Sequence, residues 1–238
     1  MRQEAYFCTV KELDELGKNN IPRQLISHTH LIYSSPATLA FNSPGAEGFG
    51  VKRAGLAVPD SVMLIVSPGC CGRNTSVLSS MRAYQDRFYY LLMDETDIVT
   101  GRHLKKIPKA VAEICEGLKK KPSVVMICIT CVDALLGTDM ERVCHKAEEY
   151  AGVPVRPCYM YALTREGRKP PMVHVRQSVY SLLEPKKKKG NVVNLLGYFS
   201  PLTDDCELYD LLHGAGVKTI HEISRCKDYE EYRTMSQA

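Results

Sequence analysis

The sequence contains no stretch approaching the roughly 20 consecutive apolar residues that a membrane-spanning helix requires. Its opening segment, MRQEAYFCTVKELDE, is too acidic and too polar for a signal peptide, so the expected compartment is the cytoplasm, with no membrane contact. GxxxxGK[ST] is absent, which removes the loop through which a chain of this kind would hold ATP itself. GAEGFG, at residues 45–50, is not GxGxxG and follows no predicted strand, so a dinucleotide site is unsupported. The net charge is only +4. Part of it comes from the run Lys186 to Lys189, and the other basic residues are interspersed with Asp and Glu, so no nucleic-acid surface is indicated.

What is present is enough apolar sequence, 45% of 238 residues with 24% charged, to bury a sizeable core. Cysteine stands out, with ten residues. In a reducing compartment these are metal ligands or core residues before they are disulfides.

Along the chain, Val10 to Leu16 reads as a helix ended by Gly17 and the Asn19, Asn20 pair, while residues 34–55, rich in Ser, Pro, Gly and Ala, read as a loop with close backbone contacts. Val62 to Val66 is an apolar run of strand length, followed by the turn Ser67, Pro68, Gly69 and a helix predicted over Thr75 to Tyr84. Ile107, Val111, Ile114, Cys115 and Leu118 share one helix face, and Val124 to Ile129 is a second buried strand. Thr138 and Glu141 have capping-box spacing, opening a helix whose buried face is Met140, Val143, Cys144, Ala147 and Ala151. A third strand over Val153 to Val155 ends at Pro157 and Cys158, and a helix covers Val173 to Leu183.

Strands separated by helices predict an α/β fold with a parallel sheet. After the linker KKKKGN the pattern restarts with Val192 to Leu196, Glu207 to His213 and Val217 to Ile220. The predicted division is an N-terminal segment at 1–35, a first domain at 36–189, and 190–238, too short for a complete second doubly wound sheet.

Open parallel sheets bind ligands at the carboxyl ends of their strands. VSPGCCGRNT puts Cys70 and Cys71 just past one strand, and ICITCVDALLGTD puts Cys131 just past another. Thiolates near helix N-termini are stabilised by the positive dipole end, which favours the form that binds iron. In these polar, Gly-containing turns, ligation and packing weigh about evenly on spacing alone. Cys158, at the end of the third strand, is a lesser candidate. Cys115, Cys128 and Cys144 sit on apolar faces or inside a strand, where packing is the better account, and Cys8, Cys206 and Cys226 have no distinguishing context. Cys128 and Cys131 have Cys-x2-Cys spacing, but Cys128 falls within an apolar strand, which ranks zinc below an iron-sulfur group. His28 and His30, in SHTH, read as a surface pair before a metal site.

At these residues the sequence resembles the nitrogenase component 1 type oxidoreductase superfamily, which includes both reductases and cofactor-assembly scaffolds. VSPGCCG resembles the family's HGPxGC turn, with Cys71 at the ligand cysteine; ETDIVTGRHLKKIPKAV resembles its DIVFGG-type segment; ITCVDALLGTD resembles its TCPxxLIGDD segment, with Cys131 at the ligand cysteine. The match continues through VCHKAEEYAGVPVRPC and NVVNLLGYFSP, and the ordered set of blocks is more specific than any one of them. FNSPGAEGFG departs from the pattern by lacking the family's first ligand cysteine, and Cys70 is the obvious substitute.

The resemblance implies Rossmann-like domains, here one followed by the start of another, and an iron-sulfur cluster, 4Fe-4S or larger, held between subunits of a homodimer or heterodimer. It also implies electrons delivered by a nitrogenase iron protein type ATPase, so that ATP is bound only by that partner. The first functional expectation is an iron-sulfur subunit of an ATP-dependent reductase. The alternatives are a non-catalytic scaffold for metallocluster assembly or electron-transfer subunit of a larger complex, and a relative that has lost its cluster.

Overall fold

The computed structural model describes residues 9–17, 19–20, 22, 50–69, 79, 81–130, 132, 136–159, 171–197 and 199–238. The short helix α1 (Val10–Leu16) is opened by a capping box between Thr9 and Glu12 and closed by Gly17. A second short helix, α2 (Val51–Gly55), lies where the composition predicted only loop. The expected close approach is nevertheless real at Gly55. A Cβ there would stand 2.8 Å from Met63 Cε and 3.3 Å from Cys158 Sγ, so helix and sheet come together at a residue without a side chain.

β1 (Val62–Ser67) and β3 (Val125–Ile129) are buried along their whole length, as near-continuous apolar runs must be in a parallel sheet covered on both faces. They pair in parallel, with Val62 beside Val125 and Val66 beside Ile129. β2 (Phe88–Leu92) adds to the other side of β1, and β4 (Val155–Tyr159) to the other side of β3, giving the order β2-β1-β3-β4.

β2 was not foreseen. Its run FYYLL has strand composition, but only Phe88 is buried, Tyr89 and Leu91 are half-buried and Tyr90 and Leu92 are exposed, because it is an edge. Of the predicted helix ending at Tyr84, the described residues include Ser79, which is helical, and a 3-10 turn at Arg82–Tyr84; residues 75–78 and 80 lie outside them. β4 continues through Pro157 and Cys158 instead of stopping before them. Proline cannot donate to a ladder but is tolerated on an edge strand, and β4 is the edge.

Helices α3 (Glu95–Thr100), α4 (His103–Gly117) and α5 (Met140–Ala151) follow β2 and β3. The buried face of α5 comprises the five predicted residues, Met140, Val143, Cys144, Ala147 and Ala151. Its cap is one residue later than predicted: Asp139, not Thr138, accepts from the Arg142 backbone N–H at 3.1 Å, and Gly152 in the left-handed region ends the helix. α4 and α5 cover the sheet face carrying Val62, Leu64, Val66, Val125 and Ile127.

α2 and α6 (Pro171–Tyr180) cover the opposite face, carrying Met63, Ile65, Met126, Cys128 and Cys158. β5 (Val192–Leu195), α7 (Glu207–Gly214) and β6 (Thr219–Glu222) form a separate two-stranded parallel sheet with its crossover helix. α8 (Tyr229–Thr234) returns to the first sheet, and Phe199, Ile223, Tyr232 and Met235 join the core beneath α6. No helix among the described residues is long and apolar enough to cross a membrane.

Candidate cluster site at the carboxyl ends of β1 and β3

The strand order reverses between β1 and β3: the chain passes from β1 outward to β2, then returns to the other side of β1 to build β3 and β4. In open parallel sheets this reversal opens a crevice at the carboxyl ends of the two central strands. β1 ends at Ser67 and β3 at Ile129, with Thr130 next. Cys70 and Cys71 follow Ser67 in sequence, and Cys131 follows Thr130. These three candidate ligands lie outside the described residues, as do Cys8, His28 and His30. The described structure thus supplies the two strand ends, and the candidate cysteines follow them in sequence.

Two polar side chains at those ends went unnoticed in the sequence. Ser67 and Thr130 are fully buried, and among the described residues neither Ser67 Oγ nor Thr130 Oγ1 has a hydrogen-bond partner. Buried hydroxyls are normally satisfied, so a pair of unmet ones calls for an explanation. It also suits an iron-sulfur cluster. Thiolates and sulfides only accept hydrogen bonds, and among the described residues two O–H donors without partners stand at the strand ends that the candidate cysteines follow in sequence. The sequence signal was faint: each is a hydroxyl residue closing an apolar strand.

A third polar feature follows β2. Asp97 is buried at the start of α3, where its carboxylate accepts from Lys106 Nζ at 2.6 Å and Arg102 Nε at 3.2 Å. With Asp94 it forms a capping box, the Asp94 carboxylate accepting from the Asp97 N–H at 2.7 Å. Hydrogen bonding from Lys106, followed by the Asp94 N–H and the charges of Lys106 and Arg102, outweighs burial and holds the Asp97 carboxyl below its ordinary range. The imidazole Nδ1 of the buried His103 lies 3.0 Å from the Asp97 carbonyl oxygen. This network fixes the turn after β2, within the ETDIVTG block.

Cys158 sits in the core. It is fully buried inside β4, its register partner on β3 is Cys128, and its thiol donates to the Val51 carbonyl at 3.4 Å. The hydrogen bond with Cys128, together with burial, pushes the Cys158 thiol well up. Cys115 and Cys144 are likewise buried, and burial raises both thiols. Burial also pushes the half-buried Cys226 thiol up to about 12. A groove of about 860 Å³ runs along the outer edge of β4 between α5 and α6, lined by residues such as Glu141, His145, Arg156 and His174. It lies beyond β4, one strand removed from the β1–β3 reversal.

Residues 47–238 match the family described as nitrogenase component 1 type oxidoreductase. Among curated proteins the chain is similar to the nitrogenase iron-molybdenum cofactor biosynthesis protein NifE of Rhizobium meliloti (strain 1021), with 28% identity over 71% of this chain and 37% of that protein. It is similar to NifE of Klebsiella pneumoniae at 26% identity, over 82% of this chain and 47% of that protein. Among solved structures, nitrogenase Cp1 at pH 6.5 superposes with a TM-score of 0.58 and 20% identity, over 84% of this chain and 42% of that one, a likeness of fold. The chain spans less than half the length of these relatives. With a parallel sheet whose order reverses between the two strands that its candidate cysteines follow in sequence, and a family match over most of its length, the chain belongs to the nitrogenase component 1 type oxidoreductase family.

Proposed function

We propose that this chain is an iron-sulfur subunit of a nitrogenase-like system, in which Cys71 and Cys131, joined by Cys70, hold a cluster at the carboxyl ends of β1 and β3. The observation that carries the reading is the adjacency of those two strands at the point where the sheet order reverses, each followed within four residues by a candidate cysteine. Three cysteines fall short of the four ligands that a cubane cluster commonly takes, so a partner subunit, a second copy or a related chain, completes the set. When bound, the group supplies one-electron transfer at low potential. The chain's own residues bury the strand ends from which the candidate cysteines follow in sequence. ATP is bound by a separate iron protein type ATPase. In this reading, residues 36–189 form the cluster-bearing Rossmann-like domain, 1–35 precede it, and 190–238 begin a second one.

Similarity to NifE favours a role as a scaffold in metallocofactor assembly. The second role, relaying electrons from the ATPase to a small-molecule substrate, is supported by the oxidoreductase family itself. The test is anaerobic purification of the full chain with iron and acid-labile sulfide analysis, alongside Cys71→Ala and Cys131→Ala. Both variants are expected to lose most of the charge-transfer absorption and to weaken subunit association. Full iron content and an unchanged oligomer in both would overturn the assignment. With the ATPase and ATP supplied, a scaffold passes iron to an acceptor protein, whereas a reductase accumulates a reduced small molecule.

A further inference from the structure

Ser67 and Thr130 occupy neighbouring positions on one face of the sheet. The β1–β3 register pairs Val66 with Ile129, so one step further places Ser67 beside Thr130. Strand alternation puts Ser67 on the face of Met63 and Ile65, and Thr130 on the face of Met126 and Cys128, the face covered by α2 and α6. Both are essentially inaccessible to solvent, and their hydroxyl oxygens are unpartnered among the described residues. The Ser67 carbonyl accepts from the Met93 N–H at 3.0 Å, which fixes the end of β1 against β2.

Two adjacent buried hydroxyls are able to satisfy each other, but neither takes the other as a partner. They are donors kept available at one point, and a hydroxyl buried without a partner is destabilising unless something arrives to use it. A group rich in sulfide and thiolate is the chemical complement, because it accepts hydrogen bonds and has none to give. Such bonds stabilise the more electron-rich state of an iron-sulfur centre and so raise its reduction potential.

We propose that the Ser67 and Thr130 hydroxyls donate hydrogen bonds to sulfur atoms of the bound iron-sulfur group and raise its reduction potential. The inference rests on the cluster assignment made above. It treats both residues as positioning residues that act on the group from outside its ligand set.

The experiment uses the full chain, reconstituted anaerobically with iron and sulfide, and the variants Ser67→Ala, Thr130→Val and their combination. Iron and sulfide are counted, the midpoint potential is read by dye-mediated redox titration, and the thermal midpoint of each iron-free protein is recorded. Each variant is expected to keep its iron and show a more negative midpoint potential, with the double variant shifted furthest and Thr130→Ser restoring the wild-type value. The iron-free variants should unfold at the same or a higher temperature than the iron-free wild type, since an orphaned hydroxyl has been removed. A folded variant that no longer retains iron would equally support contact between the hydroxyl and the group.

Potentials identical to wild type at full iron content would overturn the inference and leave the cluster assignment standing. Iron-free variants that melt well below the iron-free wild type would also overturn it, because the hydroxyls would then be satisfied within the protein itself. A wild-type chain that takes up neither iron nor sulfide would instead overturn the cluster assignment and this inference with it.

Discussion

Cys128 and Cys158 stand directly opposite one another across the β3–β4 pairing, thiol against thiol, both completely buried beneath α2. In sequence the two look different, one inside an apolar run and the other beside a proline at an apparent strand end. The register makes them equivalent core residues. Cys158→Ala is therefore expected to cost about 1 kcal/mol of stability through lost packing. Urea unfolding measures that cost, and iron analysis of the same protein should show no loss. A large fall in iron with unchanged unfolding would make Cys158 a ligand.

Asp97 makes the stability of the fold pH-dependent in a defined direction. Its carboxyl is held below the ordinary value, chiefly by the hydrogen bond from Lys106, so its contribution is present above the unfolded-state value of about 3.9 and is lost as pH falls through the lower folded-state value. Asp97→Asn should melt below wild type at neutral pH, and the gap should narrow as the pH is lowered past that window. Thermal melts from pH 7 to pH 3 follow this directly, and a gap that stays constant would show that the charge is immaterial.

Tyr232, fully buried on α8, donates its hydroxyl to the carbonyl of Val179 in the last turn of α6. This ties the end of the described chain to the helix that covers the first sheet. Tyr232→Phe keeps the ring and removes only the donor, at an expected cost of about 1 kcal/mol, because the Val179 carbonyl still receives the Leu182 N–H. An unchanged denaturant midpoint would mean that α8 is held by ring packing alone.

The absence of a phosphate loop gives a further expectation: titration calorimetry of the isolated chain should register no ATP binding. ATP-dependent electron transfer or iron transfer should begin only when an iron protein type ATPase is added. Tight nucleotide binding by the chain alone would contradict this.

The sequence by itself determined the parts whose causes are local. Unbroken apolar runs gave β1 and β3 as buried parallel strands, and the 3.6-residue period gave all five buried residues of α5, because side-chain periodicity is set within a few residues of chain. It also placed Cys115, Cys128 and Cys144 in the core for the same reason. It misplaced the α5 cap by one residue, since Thr138 and Asp139 are both good capping residues and only the backbone path selects Asp139.

Tertiary structure decided the rest. Which strands are edges explains why β4 runs through Pro157 and why β2 has a half-exposed face. Strand order sets the reversal between β1 and β3, and register brings Cys158 against Cys128 and Ser67 beside Thr130. Burial of Asp97 with its two cationic partners, and of two hydroxyls that have none among the described residues, depends on elements folded from elsewhere in the chain. No local pattern encodes whether a polar atom in a turn will meet water, a partner or neither. That outcome is fixed only when distant segments pack around it.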